Sequence, residues 1–203
     1  MPSSFKWDPD RAVYVDRAGE VVPRARLLEA LDAATRGQTR RAHALAEEYA
    51  RTGNTAAWQA GMRDEMRRAF VSNLALGKGG VDQLTQADYG RVGGYIVPHF
   101  RRLQRFADQN AAGRNPPGPV FNNRVGMYFK SARVAFFAGD LAAHKAAGFW
   151  VRNVVNAALE NCADCQAEAA KGLVEPGKLS PPGSRRCKGN CGCRLVYERP
   201  PRV

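Results

Sequence analysis

Cys162-Ala-Asp-Cys165, then a loop rich in Pro and Gly, then Cys187-Lys-Gly-Asn-Cys191-Gly-Cys193: all five cysteines of the chain stand in this stretch. A Cys-x-x-Cys pair offers two thiolates to one metal, and a second cluster beyond a loop closes a tetrahedron. The spacing predicts a structural zinc site drawn from Cys162, Cys165, Cys187, Cys191 and Cys193. Five thiols for four positions leave one over, and Cys191 and Cys193 compete to be the spare. A metal here would staple a segment too small to bury enough apolar surface by itself. Two other readings stand beside it, a pair of disulfides with an odd cysteine and a redox-active Cys-x-x-Cys. Met1-Pro-Ser-Ser-Phe-Lys-Trp7 has no apolar run of the kind a secretory signal needs. Reducing surroundings are therefore expected, and they favour thiolate–metal chemistry. No βαβ pattern frames Cys162 and Cys165, which ranks the redox reading last.

Around the cysteines the chain reads as a small α+β region over 149–203. Phe149-Trp-Val-Arg-Asn-Val-Val155 is β-branched and aromatic, as is Cys193-Arg-Leu-Val-Tyr197, and the two are expected to pair as strands. Between them, Cys162 to Lys171 makes a turn or two of helix that Gly172 ends. Residues 23–148 are helical by periodicity. Leu27, Leu31, Ala34, Ala42, Leu45 and Tyr49 line one helix after Pro23, with Gln38 filling the gap, Gly37 loosening its middle and Gly53 stopping it. Thr55 is the expected cap of a second, with Trp58, Met62, Met66, Ala69 and Phe70 inside. Gly77-Lys-Gly-Gly80 ends it as a glycine cap; the Lys-Ser/Thr pattern of a phosphate loop is absent. Thr85-Gln-Ala-Asp88 opens a third helix as a capping box, with Tyr89, Val92, Ile96, Leu103 and Phe106 on its apolar side and Pro98 within. A single fourth helix is expected after the Pro116-Pro117 break, capped by Asn122 or Asn123 and running to His144. Residues 1–22 read as an extended arm or short hairpin, with strands Ala12–Val15 and Glu20–Val22 about the turn Asp16–Gly19. The fold class is thus mainly α with a zinc-stapled α+β end.

At 203 residues, with 44% hydrophobic and 25% charged side chains, the composition is that of a globular protein, and no apolar run has membrane-spanning length. The formal charge of +12 suits a polyanionic neighbour, foremost nucleic acid, although Asp and Glu are interleaved among the basic residues. Near the knuckles Arg185, Arg186, Lys188 and Arg194 gather, a surface suited to sequence-independent phosphate contact. Enzyme motifs fare worse. A zinc deaminase needs His-x-Glu, whereas His43 is followed by Ala-Leu, His99 by Phe-Arg and His144 by Lys-Ala. A surplus of thiolates also argues for a closed metal site over a catalytic one.

The set Cys162-Ala-Asp-Cys165, Gly172, Pro181-Pro-Gly183 and Cys187-Lys-Gly-Asn-Cys191-Gly-Cys193-Arg-Leu resembles the C-terminal portion of tailed-phage minor head proteins, the head morphogenesis proteins grouped with the F protein of phage Mu. The order upstream is similar too: a helical region, the Gly79-Gly80 loop before a Thr-x-x-Asp helix start, and Phe106-Ala-Asp ahead of a break. In Mu-type proteins a His-Pro commonly precedes the final Cys-x-Cys, and here Cys187 stands near that place. The resemblance implies a non-enzymatic virion protein inside the head or at its portal vertex, with the portal or major capsid protein as partner and packaged DNA beside it. Some relatives carry a toxin or enzyme domain after this region; none is expected before Val203. The other reading is a cytoplasmic zinc-ribbon protein that binds nucleic acid through phosphates.

Overall fold

The computed structural model describes residues 5–200; Met1–Ser4 and residues 201–203 of the expected terminal segments lie outside them. The chain is mainly helical, with one small antiparallel strand pair near each end. Its elements are β1 (Lys6–Asp8), β2 (Val13–Val15), α1 (Arg24–Thr52), α2 (Thr55–Lys78), α3 (Gln86–Ala111), α4 (Pro119–Ser131), α5 (Arg133–Ala146), β3 (Trp150–Val154), α6 (Ala163–Ala170) and β4 (Arg194–Glu198). Among the described residues no helix is long and apolar enough to cross a membrane.

Helix α1 runs unbroken through Gly37 and stops where Gly53 turns left-handed. Its buried stripe is Leu27, Leu31, Thr35, Gln38, Ala42, Ala46 and Tyr49, while Ala34 and Leu45 lie half-buried beside it. Gln38 can occupy the stripe because its amide donates to Asn73 Oδ1 at 3.1 Å on α2. Helix α2 is capped one residue earlier than expected: the Asn54 side chain, not that of Thr55, accepts from Ala57 N at 3.0 Å. At the start of α3, Asp88 accepts from both the backbone N–H and the hydroxyl of Thr85, and from Lys78 Nζ at 2.6 Å. Pro98 lies inside α3, which continues on both sides of it; Tyr89 points outward, 46% exposed, a departure from the apolar side expected of it.

One further expectation fails locally and another is extended. The fourth helix is two helices, α4 and α5, broken at Ala132, and α4 starts with Pro119 at its first position, leaving Asn122 and Asn123 within it. After the break α5 packs closely on α2. Gly77 of α2 and Gly139 of α5 sit so close that a Cβ on Gly77 would overlap the Phe136 carbonyl, and one on Gly139 would lie 2.6 Å from the Leu74 carbonyl oxygen. The N-terminal hairpin is present and gains a strand. Val15 bridges Val21, with Asp16 N donating to Glu20 O at 2.9 Å and Val22 N to Tyr14 O at 2.8 Å, and Val13–Val15 pairs on its other side with Lys6–Asp8, in the register Trp7 opposite Tyr14. Trp7 makes the difference: it is 5% exposed, its N–H donates to the Gly79 carbonyl at 3.2 Å, and a side chain on Gly79 would collide with it.

Two apolar clusters fill the molecule. One lies among α1–α5 and includes Trp58, Phe70, Phe106, Phe121 and Phe129, each side chain worth about 1.5–3 kcal/mol on burial. The second joins Trp7 and Tyr14 of the arm, Leu27 and Leu31 of α1, Phe136 and Leu141 of α5, and Val151 and Leu195 of β3 and β4. The two ends of the chain thus share one core, knotted by Asp140 of α5. That carboxylate, fully buried, takes Arg24 of α1, Tyr14 of β2 and Tyr197 of β4 as donors.

Candidate metal centre

Strands β3 and β4 pair antiparallel as expected, with Asn153 opposite Leu195 and Val154 opposite Arg194. This hairpin is the platform for the cysteines. Cys162 caps α6 and Cys165 sits in its first turn, so the Cys-x-x-Cys spacing puts both thiols at one helix end. Cys187 and Cys191 flank a 3-10 turn at Lys188–Asn190, and Cys193 leads into β4. The intervening loop is tied down. Val174 exchanges backbone bonds with Val151 at 2.8 and 3.0 Å, and Arg186 N donates to Asp164 Oδ2 at 2.9 Å.

All five sulfurs converge on Cys165. Those of Cys162, Cys165 and Cys187 lie within 4.8 Å of one another, as do those of Cys165, Cys191 and Cys193. Cys165 Sγ is 3.4 Å from Cys187 Sγ and 3.8 Å from Cys191 Sγ. A disulfide would need about 2.05 Å. Two sulfurs on one tetrahedral zinc, each at about 2.3 Å, stand roughly 3.8 Å apart. The cluster can therefore hold a metal ion.

The thiols differ in surroundings. Burial, then the neighbouring sulfurs of Cys165, Cys191 and Cys162, pushes Cys187 far above the ordinary thiol range. Burial and the Cys165 sulfur push Cys193 up to about 12. Burial also disfavours a Cys191 thiolate, but the backbone N–H of Cys193, the Cys187 and Cys165 thiols and the Gly183 N–H together outweigh it, and its pKa is lowered.

Arg185 supplies the other half of the electrostatics. It is 5% exposed, and it donates to Ser180 O through Nε at 3.2 Å and Nη2 at 2.5 Å, to Asn153 Oδ1 at 2.9 Å, and points Nη1 at Cys165 Sγ, 3.8 Å away. No carboxylate pairs with it among the described residues. A buried guanidinium needs a counter-charge, and the sulfur within its reach is that of Cys165, which becomes an anion when it ligates a metal. The donor set thus fits a thiolate-bound metal: one fixed cation faces sulfurs that must be deprotonated to ligate.

This corrects the expected phosphate surface. Arg185 is sequestered and cannot touch a phosphate, whereas Arg186, Lys188 and Arg194 are exposed. Lys188 lines a pocket with α3 and α4, and Arg194 lies beside a different one along β4. Sequence reading missed Asn153, whose Nδ2 donates to the Cys165 carbonyl at 3.2 Å while its Oδ1 orients Arg185. The available hint was a polar residue at a strand position facing inward between Val151 and Val155. Asp140 gave no hint at all, since its donors come from distant parts of the chain. Comparison with protein-family models, curated proteins and solved structures yields no match for this chain.

Proposed function

We propose that this chain is a non-enzymatic structural protein of the tailed-phage minor head class, located in the head of the virion and held at its C-terminal end by one zinc ion. The observation that carries the reading is the gathering of the residues behind the family resemblance. Cys162, Cys165, Cys187, Cys191, Cys193 and Gly183 meet around a single point, braced by buried Arg185. Such a centre, packed with sulfur and filled in on its remaining side by a guanidinium, works as a staple. Zinc suits it best, being the common structural ion of closed thiolate sites. Cys162, Cys165, Cys187 and Cys191 are its ligands. Cys187 neighbours the sulfurs of Cys162, Cys165 and Cys191, whereas Cys193 neighbours Cys165, Cys191 and the Asn153 amide. The portal or the major capsid protein is the partner, and the +12 charge suits a place beside packaged DNA.

Two measurements test this. Mass spectrometry of particles purified from the strain that carries the gene should find the chain at a fixed ratio to the portal protein. Elemental analysis of the purified chain should find about one zinc. Absence from intact particles overturns the virion assignment, and a folded, metal-free chain under reducing conditions overturns the staple.

A further inference from the structure

The face where α3, α4 and the Lys188–Asn190 turn meet holds a pocket of about 210 Å3. Four cations line it: Arg102 and Arg105 from α3, Arg124 from α4 and Lys188 from the turn; no lining side chain is acidic. The first two stand three residues apart and so share a helix face. None of the four has a carboxylate partner among the described residues. Arg124 is held by neutral groups instead, donating to Gln109 Oε1 at 3.1 Å and resting 4.0 Å over the Phe106 ring. Lys188 is fixed as well, in a left-handed backbone conformation at φ 46°, with the adjoining Gly189 packed on the Lys130–Ser131 backbone. His99 completes the floor, and burial together with Arg102 and Lys188 keeps it neutral.

Other half-buried basic side chains of this molecule, Arg24, Lys78 and Arg133, each meet an acid. Four like charges held around one concavity without an acid repel one another, a cost that a bound anion reverses. Guanidinium forks match the oxygens of a tetrahedral oxyanion, and a lysine adds a point charge. We propose that this pocket is a phosphate-binding site, with Arg102, Arg105, Arg124 and Lys188 as its ligands. The phosphate belongs either to a nucleic-acid backbone or to a free oligophosphate, and the same four side chains serve both. The inference does not rest on the virion assignment. It also moves the phosphate contact away from Arg185, Arg186 and Arg194 to residues of α3 and α4 that no cysteine motif marks.

The test uses the full zinc-loaded chain. Fluorescence anisotropy follows a labelled 20-base-pair DNA of arbitrary sequence over a salt series, and inorganic pyrophosphate is added as competitor. The triple variant Arg102→Gln, Arg105→Gln, Lys188→Asn is compared with a control, Arg36→Gln, Arg40→Gln, which removes two exposed arginines of α1. Far-UV circular dichroism and metal content certify both folds. DNA binding displaced by pyrophosphate, weakened at least tenfold in the triple variant and little in the control, supports the site with the backbone as source. Its salt slope should fall by about one per lost contact. Pyrophosphate binding, lost in the triple variant, with no DNA binding also supports the site and assigns a free oligophosphate. Binding that falls per removed charge equally in variant and control, or no binding of either probe at low salt, overturns it.

Discussion

Arg24 and Asp140, 116 positions apart, form a two-point ion pair, Nη1 to Oδ1 at 3.1 Å and Nη2 to Oδ2 at 2.7 Å. The carboxylate has no exposure, and it also accepts from the hydroxyls of Tyr14 at 3.0 Å and Tyr197 at 2.7 Å, while His144 Nδ1 lies 3.3 Å away. Tyr197 in turn stacks on His144 at 3.6 Å. One carboxylate therefore fastens β2, the start of α1, α5 and β4 together.

Breaking that pair from one side leaves a buried charge alone. Asp140→Asn should cost roughly 3–5 kcal/mol, read from urea unfolding at pH 7. Burial alone would raise the Asp140 pKa, but Arg24 and His144 overcome it and hold the carboxyl well below the usual carboxylate range. The folded pKa lies below the unfolded value of about 3.9, so the stabilisation is full at neutral pH. It is lost as pH falls below about 4 toward the folded pKa. The variant should show a shallower acid limb there, and an unchanged limb would remove Asp140 from its cause.

His99 works at milder pH. Burial first, then Arg102 and Lys188, lowers it to about 4, against about 6.5 in an unfolded chain. Between those values the unfolded chain binds a proton that the folded one refuses, so stability falls as pH drops from about 6.5 to about 4 and is flat above. His99→Gln should flatten the curve in that interval, as followed by urea melts at pH 7.5, 6 and 4.5.

Gly77 is a test of packing. A methyl group there meets the Phe136 carbonyl, and neither backbone can yield without moving α2 from α5. Gly77→Ala should cost about 1–3 kcal/mol by thermal or urea melting. Gly90→Ala, in α3 with open space around it, should instead be neutral or stabilising by up to about 1 kcal/mol.

Removing ligands one at a time should sort the cysteines. Serine at Cys162, Cys165, Cys187 or Cys191 should abolish zinc retention through gel filtration and release β3 and β4 to hydrogen exchange, since metal binding and local folding are coupled. Cys193→Ser should keep about one zinc. Loss of metal from Cys193→Ser with retention in Cys191→Ser would exchange their roles.

What could be read beforehand follows from which information is local. The helices α1 to α3 were legible because Leu27, Leu31, Trp58, Met62, Val92 and Ile96 repeat at helical spacing and Gly53, Gly79 and the Thr85–Asp88 box mark their ends. The break at Ala132 was not, because Ser131-Ala132-Arg133 contains no helix breaker, and the close contact that α5 makes with Gly77 joins residues more than fifty positions apart. Strand β1 was hidden for a similar reason, as Lys6-Trp7-Asp8 is too short to show alternation and gains its place from Gly79. In the metal centre the ligands were visible as a spacing, since four thiols need only proximity. Their electrostatic support was not: Arg185 and Arg186 are identical neighbours, and one is buried while the other is exposed.

That contrast yields the most specific prediction. Arg185 touches no carboxylate and points Nη1 at Cys165 Sγ, so the thiolates that form on binding a metal would supply the counter-charge it lacks. Arg185→Met keeps the volume and removes the charge; zinc affinity, measured by competition with a chromogenic chelator, should fall about 10- to 100-fold, as for other supporting groups around metal ligands. Arg185→Lys should recover little, because one ammonium cannot reach Ser180 O and Asn153 Oδ1 together as the planar fork does. Arg186→Met, its exposed neighbour, should leave zinc affinity unchanged. If Arg185→Met bound zinc like the wild type but Arg186→Met did not, the counter-charge would lie in the wrong residue and the buried guanidinium would need another account.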